Sequence, residues 1–207
     1  YCIAKVITEG EKPAYIALAD NNNKIISSTG LNTRFEFIAP YKNIERYICM
    51  LFGPSGVGKT IIAGELAKQF YEIHKGKIFF ISSKDMNDDK TFSKLKDIVK
   101  QVDIHEIYND KMSKNELREM MKELFSNSLI VFDDNDLAKD EKIIRGFRDL
   151  CCEIGRSYNI NIVFISHKNA DAHKTKIILN ELTMYICWKK NLKKNRILTE
   201  YYGIDES

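Results

Sequence analysis

Four largely apolar runs of strand length, Tyr47 to Phe52, Lys77 to Ser82, Leu129 to Phe132 and Ile160 to Ile165, are spaced through the chain. Strands that face water on one side alternate apolar and polar residues, whereas nearly continuous apolar runs are covered on both faces. The segments between them carry apolar residues at helical spacing: Thr60 to His74, Thr91 to Gln101, Ser113 to Phe125 and Lys139 to Tyr158. The last is striped by Ile143, Ile144, Phe147, Leu150, Cys151 and Ile154. Ser113, three residues before Glu116, is the signature of a capping box. Buried strands alternating with helices predict an α/β domain with a mostly parallel central sheet flanked by helices.

The N-terminal stretch has a different rhythm. Short β-like runs at Cys2 to Thr8, Ala14 to Ala19, Lys24 to Ser27 and Phe35 to Ala39 are separated by turn signals such as Glu9-Gly10 and Asp20 to Asn23. We therefore expect a small antiparallel β extension over 1–40 packed on a main domain over 41–207. At the other end, Met184 to Trp188 and Ile197 to Tyr202 are strand-like and bracket a basic loop or hairpin tip.

The strongest chemical signal follows the first apolar run. Gly53-Pro54-Ser55-Gly56-Val57-Gly58-Lys59-Thr60 matches the phosphate-binding loop pattern G-x-x-x-x-G-K-[S/T] at every required position. It lies between a buried strand and a helix N-terminus, where converging backbone N–H groups and the helix dipole favour an anion. The glycines permit backbone conformations that a side chain would block, and Pro54, lacking an N–H, must sit where no donor is needed. In this reading Lys59 charges the terminal phosphates and the Thr60 hydroxyl ligates Mg²⁺, so ATP and Mg²⁺ are the expected cofactors.

The second signal is the end of the Leu129 to Phe132 run in Asp133-Asp134. Asp133 is placed to hold the Mg²⁺ shell opposite Thr60, and Asp134 to activate the attacking water. Ser166 and His167 end the next apolar run, which should lie beside the Asp133 strand. One of them senses the γ-phosphate, or they make satisfied hydrogen bonds with no catalytic duty. Arg145, Arg148 and Arg156 form a polar stripe opposite the apolar face of the long helix. That stripe is either a solvated surface or a subunit interface from which an arginine reaches a neighbour's γ-phosphate, with Arg156 the first choice and Arg196 the second. His74, His105 and His173 have no metal-ligand company and read as surface residues.

Composition adds three limits. The formal charge of +3 says little, yet Lys168 to Arg196 holds eight Lys/Arg against two Asp/Glu. Its tip, with Lys189, Lys190, Lys193, Lys194 and Arg196, suits the phosphate backbone of double-stranded DNA, or serves solubility alone. The five cysteines form no C-x-x-C pair and leave an odd one over, which predicts reduced, intracellular thiols packed in a core. No apolar stretch approaches membrane-spanning length and no signal peptide is evident, so a soluble protein without a membrane partner is expected. The first residue is Tyr1 and not Met, as in a trimmed chain.

Beyond these local signals, a set of segments resembles one family. The phosphate loop, Leu129 to Asp134, Glu153-Ile154-Gly155-Arg156 with Asn159-Ile160, the strand to Ser166-His167, Ile178 to Glu181 and the tail Glu200 to Asp205 are similar to the poxvirus-type genome-packaging ATPases of large DNA viruses and virophages, in the HerA/FtsK superfamily. The resemblance runs from about Lys24 onward. It implies a RecA/FtsK-like P-loop NTPase fold and a homo-oligomeric ring that pumps double-stranded DNA into a capsid, with capsid proteins as partners and the host cytoplasm or virion as location. It would give Lys59, Thr60 and Asp133 the nucleotide and metal roles, Asp134 the water, and Ser166 with His167 the strand-end sensor. Members of the superfamily often carry glutamate after the metal aspartate and glutamine at the sensor strand, and this chain departs at both places. Two other classes share the loop: a phosphotransferase acting on a small acceptor, and an ATP-binding assembly switch that scarcely turns over.

Overall fold

The computed structural model describes residues 2–7, 14–17, 34–37, 46–133, 141–167 and 172–187. The chain divides into two compact units, Tyr1–Ile44 and Glu45–Ser207. In the first, β1 (Cys2–Ile7) lies between β2 (Ala14–Ala17) and β3 (Arg34–Phe37). Both pairings are antiparallel, with Ala4 opposite Phe37 and Val6 opposite Ala14. The expected strand over 24–27 lies outside the described residues.

The second unit holds a six-stranded sheet in the order β6-β5-β7-β8-β4-β9. Its strands are β4 (Ile48–Phe52), β5 (Lys77–Ser82), β6 (Val99–Gln101), β7 (Ser128–Asp133), β8 (Ile160–Ser166) and β9 (Met184–Cys187). All five pairings are parallel. Every residue of β4 and β7 is buried, as the apolar runs Ile48 to Phe52 and Leu129 to Phe132 require. The helices are α1 (Lys59–His74), α2 (Ile104–Ile107), α3 (Lys114–Phe125), α4 (Glu141–Ile154) and α5 (Ala172–Glu181). The fold is that of a P-loop NTPase, with β8 inserted between the strand before the phosphate loop and the strand that ends in Asp133.

Because strand side chains alternate between faces, each strand feeds two cores. On one face Met50, Phe79, Ile81, Ile130, Phe132 and Phe164 join Phe125 of α3 and Phe147 of α4 in one cluster. The Phe125 and Phe147 rings lie 5.4 Å apart. The other register of the strands leaves Ile78, Phe80, Leu129, Val131 and Val163 buried, along with Ala63, Leu66, Ala67 and Phe70 of α1. Removing a fully buried phenylalanine ring from either core costs about 3–5 kcal/mol.

The expected helix over Thr91 to Gln101 is not formed. Residues Phe92–Leu95 make a single 3₁₀ turn and Val99–Gln101 become β6, with Val99 in register with Ile78. Phe92, Leu95, Ile98 and Val99 fall at helix-like intervals, but an unpaired edge on β5 offers the backbone a ladder, and Phe92 stacks on Phe80 at 4.3 Å. Tertiary pairing overrides the local period. The Lys139 to Tyr158 helix is shorter than expected: α4 stops at Ile154, a 3₁₀ turn covers Gly155–Tyr158, and Asn159 turns the chain at φ 52. The capping box of α3 is present, Ser113 Oγ accepting from Glu116 N–H at 3.3 Å and Glu116 Oε2 from Ser113 N–H at 2.7 Å. β9 joins the sheet beside β4, with Cys49 opposite Met184. Everything C-terminal to it, the basic tip included, lies outside the described residues.

Cys49, Cys151 and Cys152 are free, buried thiols, as expected of core cysteines. Burial pushes the Cys49 and Cys152 thiols up to about 12. Sequence reasoning missed Arg46. Its buried guanidinium donates to the carbonyls of Ile160 (2.7 Å), Cys152 (3.1 Å) and Cys151 (2.6 Å), with the Glu181 carboxylate 3.7 Å away. It thereby satisfies carbonyls at the end of α4 and ties them to the start of β8. All its partners are remote in sequence, so no local pattern marks it.

Candidate nucleotide site

The site lies at the carboxyl edge of the parallel sheet. Phe52 of β4 is in register with Ser166 of β8, Phe164 of β8 with Phe132 of β7, and Asp133 of β7 with Ser82 of β5. The phosphate-loop strand and the Asp133 strand are thus two strand spacings apart, about 10 Å, leaving room for a phosphate and its cation.

The loop itself has the geometry its residues require at two glycines. Gly56 and Gly58 adopt φ 78 and 95, a region closed to most side chains, and Gly58 caps α1. Gly53 is different: it takes no positive φ, and its N–H donates to the Ser166 carbonyl at 3.4 Å, tying the loop to β8. Pro54 contributes its carbonyl. Lys59 is only 4% exposed. Its ammonium turns inward and donates to the carbonyls of Gly53 and Pro54 at 2.8 Å each, with His167 Nδ1 at 3.1 Å. The lysine holds the loop in a closed ring of acceptors that an incoming phosphate would replace.

A cleft of about 360 Å³ opens over this loop. Lys59, Thr60, Asp133 and His167 line it together with Ser55, Gly56 and Gly58, so seven of the residues singled out in the sequence meet in one cavity, and Ser166 is not among its lining residues. Asp133 is 7% exposed at the end of β7. Among the described residues no group of three or more His, Cys, Asp or Glu could hold a metal. The donor set present is a hydroxyl and a carboxylate, Thr60 and Asp133, which suits Mg²⁺: that ion takes one or two protein oxygens and fills its octahedron with phosphate oxygens and water.

Facing the phosphate loop is a second wall that sequence reasoning did not find. Lys84, Asp85, Asp88 and Asp89, from the connection between β5 and β6, line the same cleft. A usable signal existed in the polar run just after an apolar strand, but the expected helix at Thr91 drew it away from the site.

Several expected residues are elsewhere. Arg156 is exposed, in the turn before β8. The strand between it and Ser166 spans roughly 20 Å, so it cannot reach the phosphate loop of its own chain. Arg148 is committed to its neighbour, Nε and Nη2 lying 3.2 and 3.0 Å from Asp149 Oδ1. His74 and His105 are exposed, as expected. Asp134, Lys189, Lys190, Lys193, Lys194 and Arg196 lie outside the described residues, as does the side chain of His173.

The AAA domain family matches residues 43–172, more than half of the chain and all of the cleft. The chain belongs to the AAA domain family. That membership makes it a nucleotide-binding P-loop NTPase domain of the ATP-binding type, and it suggests nucleotide hydrolysis. A comparison with curated proteins found no match by sequence. Among solved structures, the AAA domain described here is similar to the pCW3 conjugation coupling protein TcpA in its monomer form with ATPgS, at TM-score 0.46 and 18% identity over 74% of this chain. The chain spans about half of that protein, 52%. It is also similar to Drosophila ORC bound to DNA, at TM-score 0.37 and 15% identity, covering 75% of this chain and 41% of the other. Among the described residues no helix is long and apolar enough to cross a membrane.

Proposed function

We propose that this AAA domain is a Mg²⁺-dependent ATPase that translocates double-stranded DNA during viral genome packaging, acting as a homo-oligomeric ring on a capsid. The observation that carries the ATPase reading is the one cleft in which Lys59, Thr60 and Asp133 meet, across the strand that ends in Ser166, with His167 just after it. The DNA-packaging part rests on the resemblance of the later segments and on the excess of basic residues from Lys168 to Arg196.

In this reading the loop N–H groups from Ser55 to Thr60 cradle the phosphates, and Lys59 leaves its carbonyl partners for the terminal phosphate oxygens. Thr60 and Asp133 hold Mg²⁺, which when bound neutralises charge developing on the phosphates. Asp134 activates the attacking water. Ser166 and His167 sense the state of the γ-phosphate, His167 through its contact with Lys59. Arg156, too far from its own cleft, serves a neighbour's in a ring. The Lys189 to Arg196 tip contacts DNA phosphates.

Phosphate release from Mg·ATP by the purified chain, with and without double-stranded DNA and alongside its mass in solution, tests the proposal. DNA-stimulated turnover in a multimer is expected. A rate indifferent to DNA at low salt, in a preparation shown to be oligomeric, would remove the translocase reading. Appearance of a phosphorylated acceptor in place of free phosphate would make the chain a phosphotransferase.

A further inference from the structure

The wall opposite the phosphate loop is built with more care than a surface connection needs. Gln101 on β6 clamps it from one side, its Oε1 accepting from Met86 N–H at 2.7 Å and its Nε2 donating to the Lys84 carbonyl at 2.8 Å. Met86 is buried and Phe92 fully so. From the other side α1 comes so close that a Cβ at Gly64 would meet Thr91 Cγ2 at 2.4 Å. The segment is therefore fixed to the sheet and to the helix that carries Lys59 and Thr60.

Its acids are not equivalent. Asp85 Oδ1 accepts from the backbone and side-chain nitrogens of Asn87 at 2.8 and 2.9 Å. Asp89 Oδ1 accepts from Thr91 N–H at 2.8 Å and Phe92 N–H at 2.7 Å. Both carboxylates are spent on shaping the turn. Asp88 closes the 3₁₀ turn with its backbone N–H on the Asp85 carbonyl at 3.1 Å; the residue is exposed and lines the cleft, and its carboxylate makes no hydrogen bond or ion pair among the described residues. A rigid loop that presents one uncommitted carboxylate across from a phosphate-binding loop is a device for placing that group against bound nucleotide. A carboxylate there repels the triphosphate, so its use lies in the reaction and not in binding.

We propose that Asp88 is a catalytic carboxylate of this cleft, accepting a hydrogen bond from the attacking water and aiming it at the γ-phosphate. The inference rests on the ATPase reading above. In the step, the water oxygen bonds to the γ-phosphorus as the bond to the β-phosphate oxygen breaks, its electron pair leaving with ADP. The attacking oxygen keeps one hydrogen, which it donates to the Asp88 carboxylate, and loses the other as a proton to solvent, so that ADP and inorganic phosphate are the products. Lys84, which lines the same cleft, limits the charge repulsion that the carboxylate brings.

The test is turnover of Mg·ATP, affinity for a fluorescent non-hydrolysable ATP analogue, and melting temperature for Asp88→Ala, Asp88→Asn and Lys59→Ala. Asp88→Ala should lower kcat by roughly 10²-fold, the scale of a misplaced reactant, with melting temperature unchanged and analogue affinity equal or tighter. Asp88→Asn, which keeps an acceptor oxygen, should fall between. Wild-type turnover in Asp88→Ala overturns the inference, and so does a fall in turnover that merely follows lost affinity or stability. If Lys59→Ala is inactive while Asp88→Ala is fully active, Asp88 alone is excluded. If Lys59→Ala hydrolyses ATP normally, the ATPase reading of the cleft fails with it.

Discussion

The two walls of the cleft reached the same place by opposite routes. The phosphate-loop wall is local: eight consecutive residues, two positive-φ glycines and a helix N-terminus make it, and each part is visible in sequence. The opposing wall is assembled from remote pieces. It needs Gln101 on Met86 and Lys84, Phe92 on Phe80 and Gly64 under Thr91, contacts that join β6, β5 and α1. The first wall is chemistry with a scaffold attached, and the second is scaffold that positions chemistry. Where catalytic parts are spread over both, a motif reveals only half of the site.

Breaking the first wall should have the largest effect. Lys59→Ala should cut hydrolysis by at least about 10²–10³-fold, since a charge aimed at the transferring phosphate is lost. Its contacts with the loop carbonyls also vanish, so differential scanning calorimetry should show a small drop in melting temperature and retained cooperativity. Loss of the folding transition itself would mean that Lys59 is chiefly structural.

The second wall is loosened from α1 by Gly64→Ala. The new methyl meets Thr91, and such overpacking costs about 1–3 kcal/mol in urea denaturation. A Thr91→Ser partner should recover part of that loss by removing the clashing methyl. Additive effects of the two changes would deny the contact.

A smaller change of opposite sign is expected at Tyr47, just before β4 and at the strand end away from the cleft. Among the described residues the buried Tyr47 hydroxyl has no hydrogen-bond partner, and burial pushes its pKa far up. Tyr47→Phe removes an unsatisfied group and should stabilise the fold by about 1 kcal/mol with turnover unchanged. A loss of stability would reveal a partner for the hydroxyl.

The smallest effect is on pH dependence. Hydrogen bonds from Ser113 hold the Glu116 carboxyl below its ordinary value of 4.5. A lowered folded pKa stabilises above the unfolded value, and that contribution is lost as pH falls below 4.5 through the folded value. Glu116→Gln should therefore show a slightly flatter acid limb of stability, read by thermal melts between neutral pH and pH 3. An identical acid limb would mean that the cap carries no proton linkage.

Legibility followed range in sequence. The strands β4, β7 and β8 are readable because burial on both faces leaves a largely apolar run, and α3 because Ser113 and Glu116 signal its start. Thr91 to Gln101 misled because Phe92, Leu95, Ile98 and Val99 mimic a helical stripe, while the decisive partner, the open edge of β5, is supplied by the fold. Arg46 was silent for the same reason: its acceptors are carbonyls more than a hundred positions away. Lys59, Thr60, Asp133 and His167, marked by local sequence signals, line one cleft, whereas Asp88 has no such signal and comes to that cleft through the β5–β6 connection.

If both walls enclose one nucleotide, a non-hydrolysable Mg·ATP analogue should slow amide hydrogen exchange over 55–60 in the phosphate loop and over 84–89 in the opposing wall together. Protection confined to the phosphate loop would mean that the opposing wall takes no part in binding.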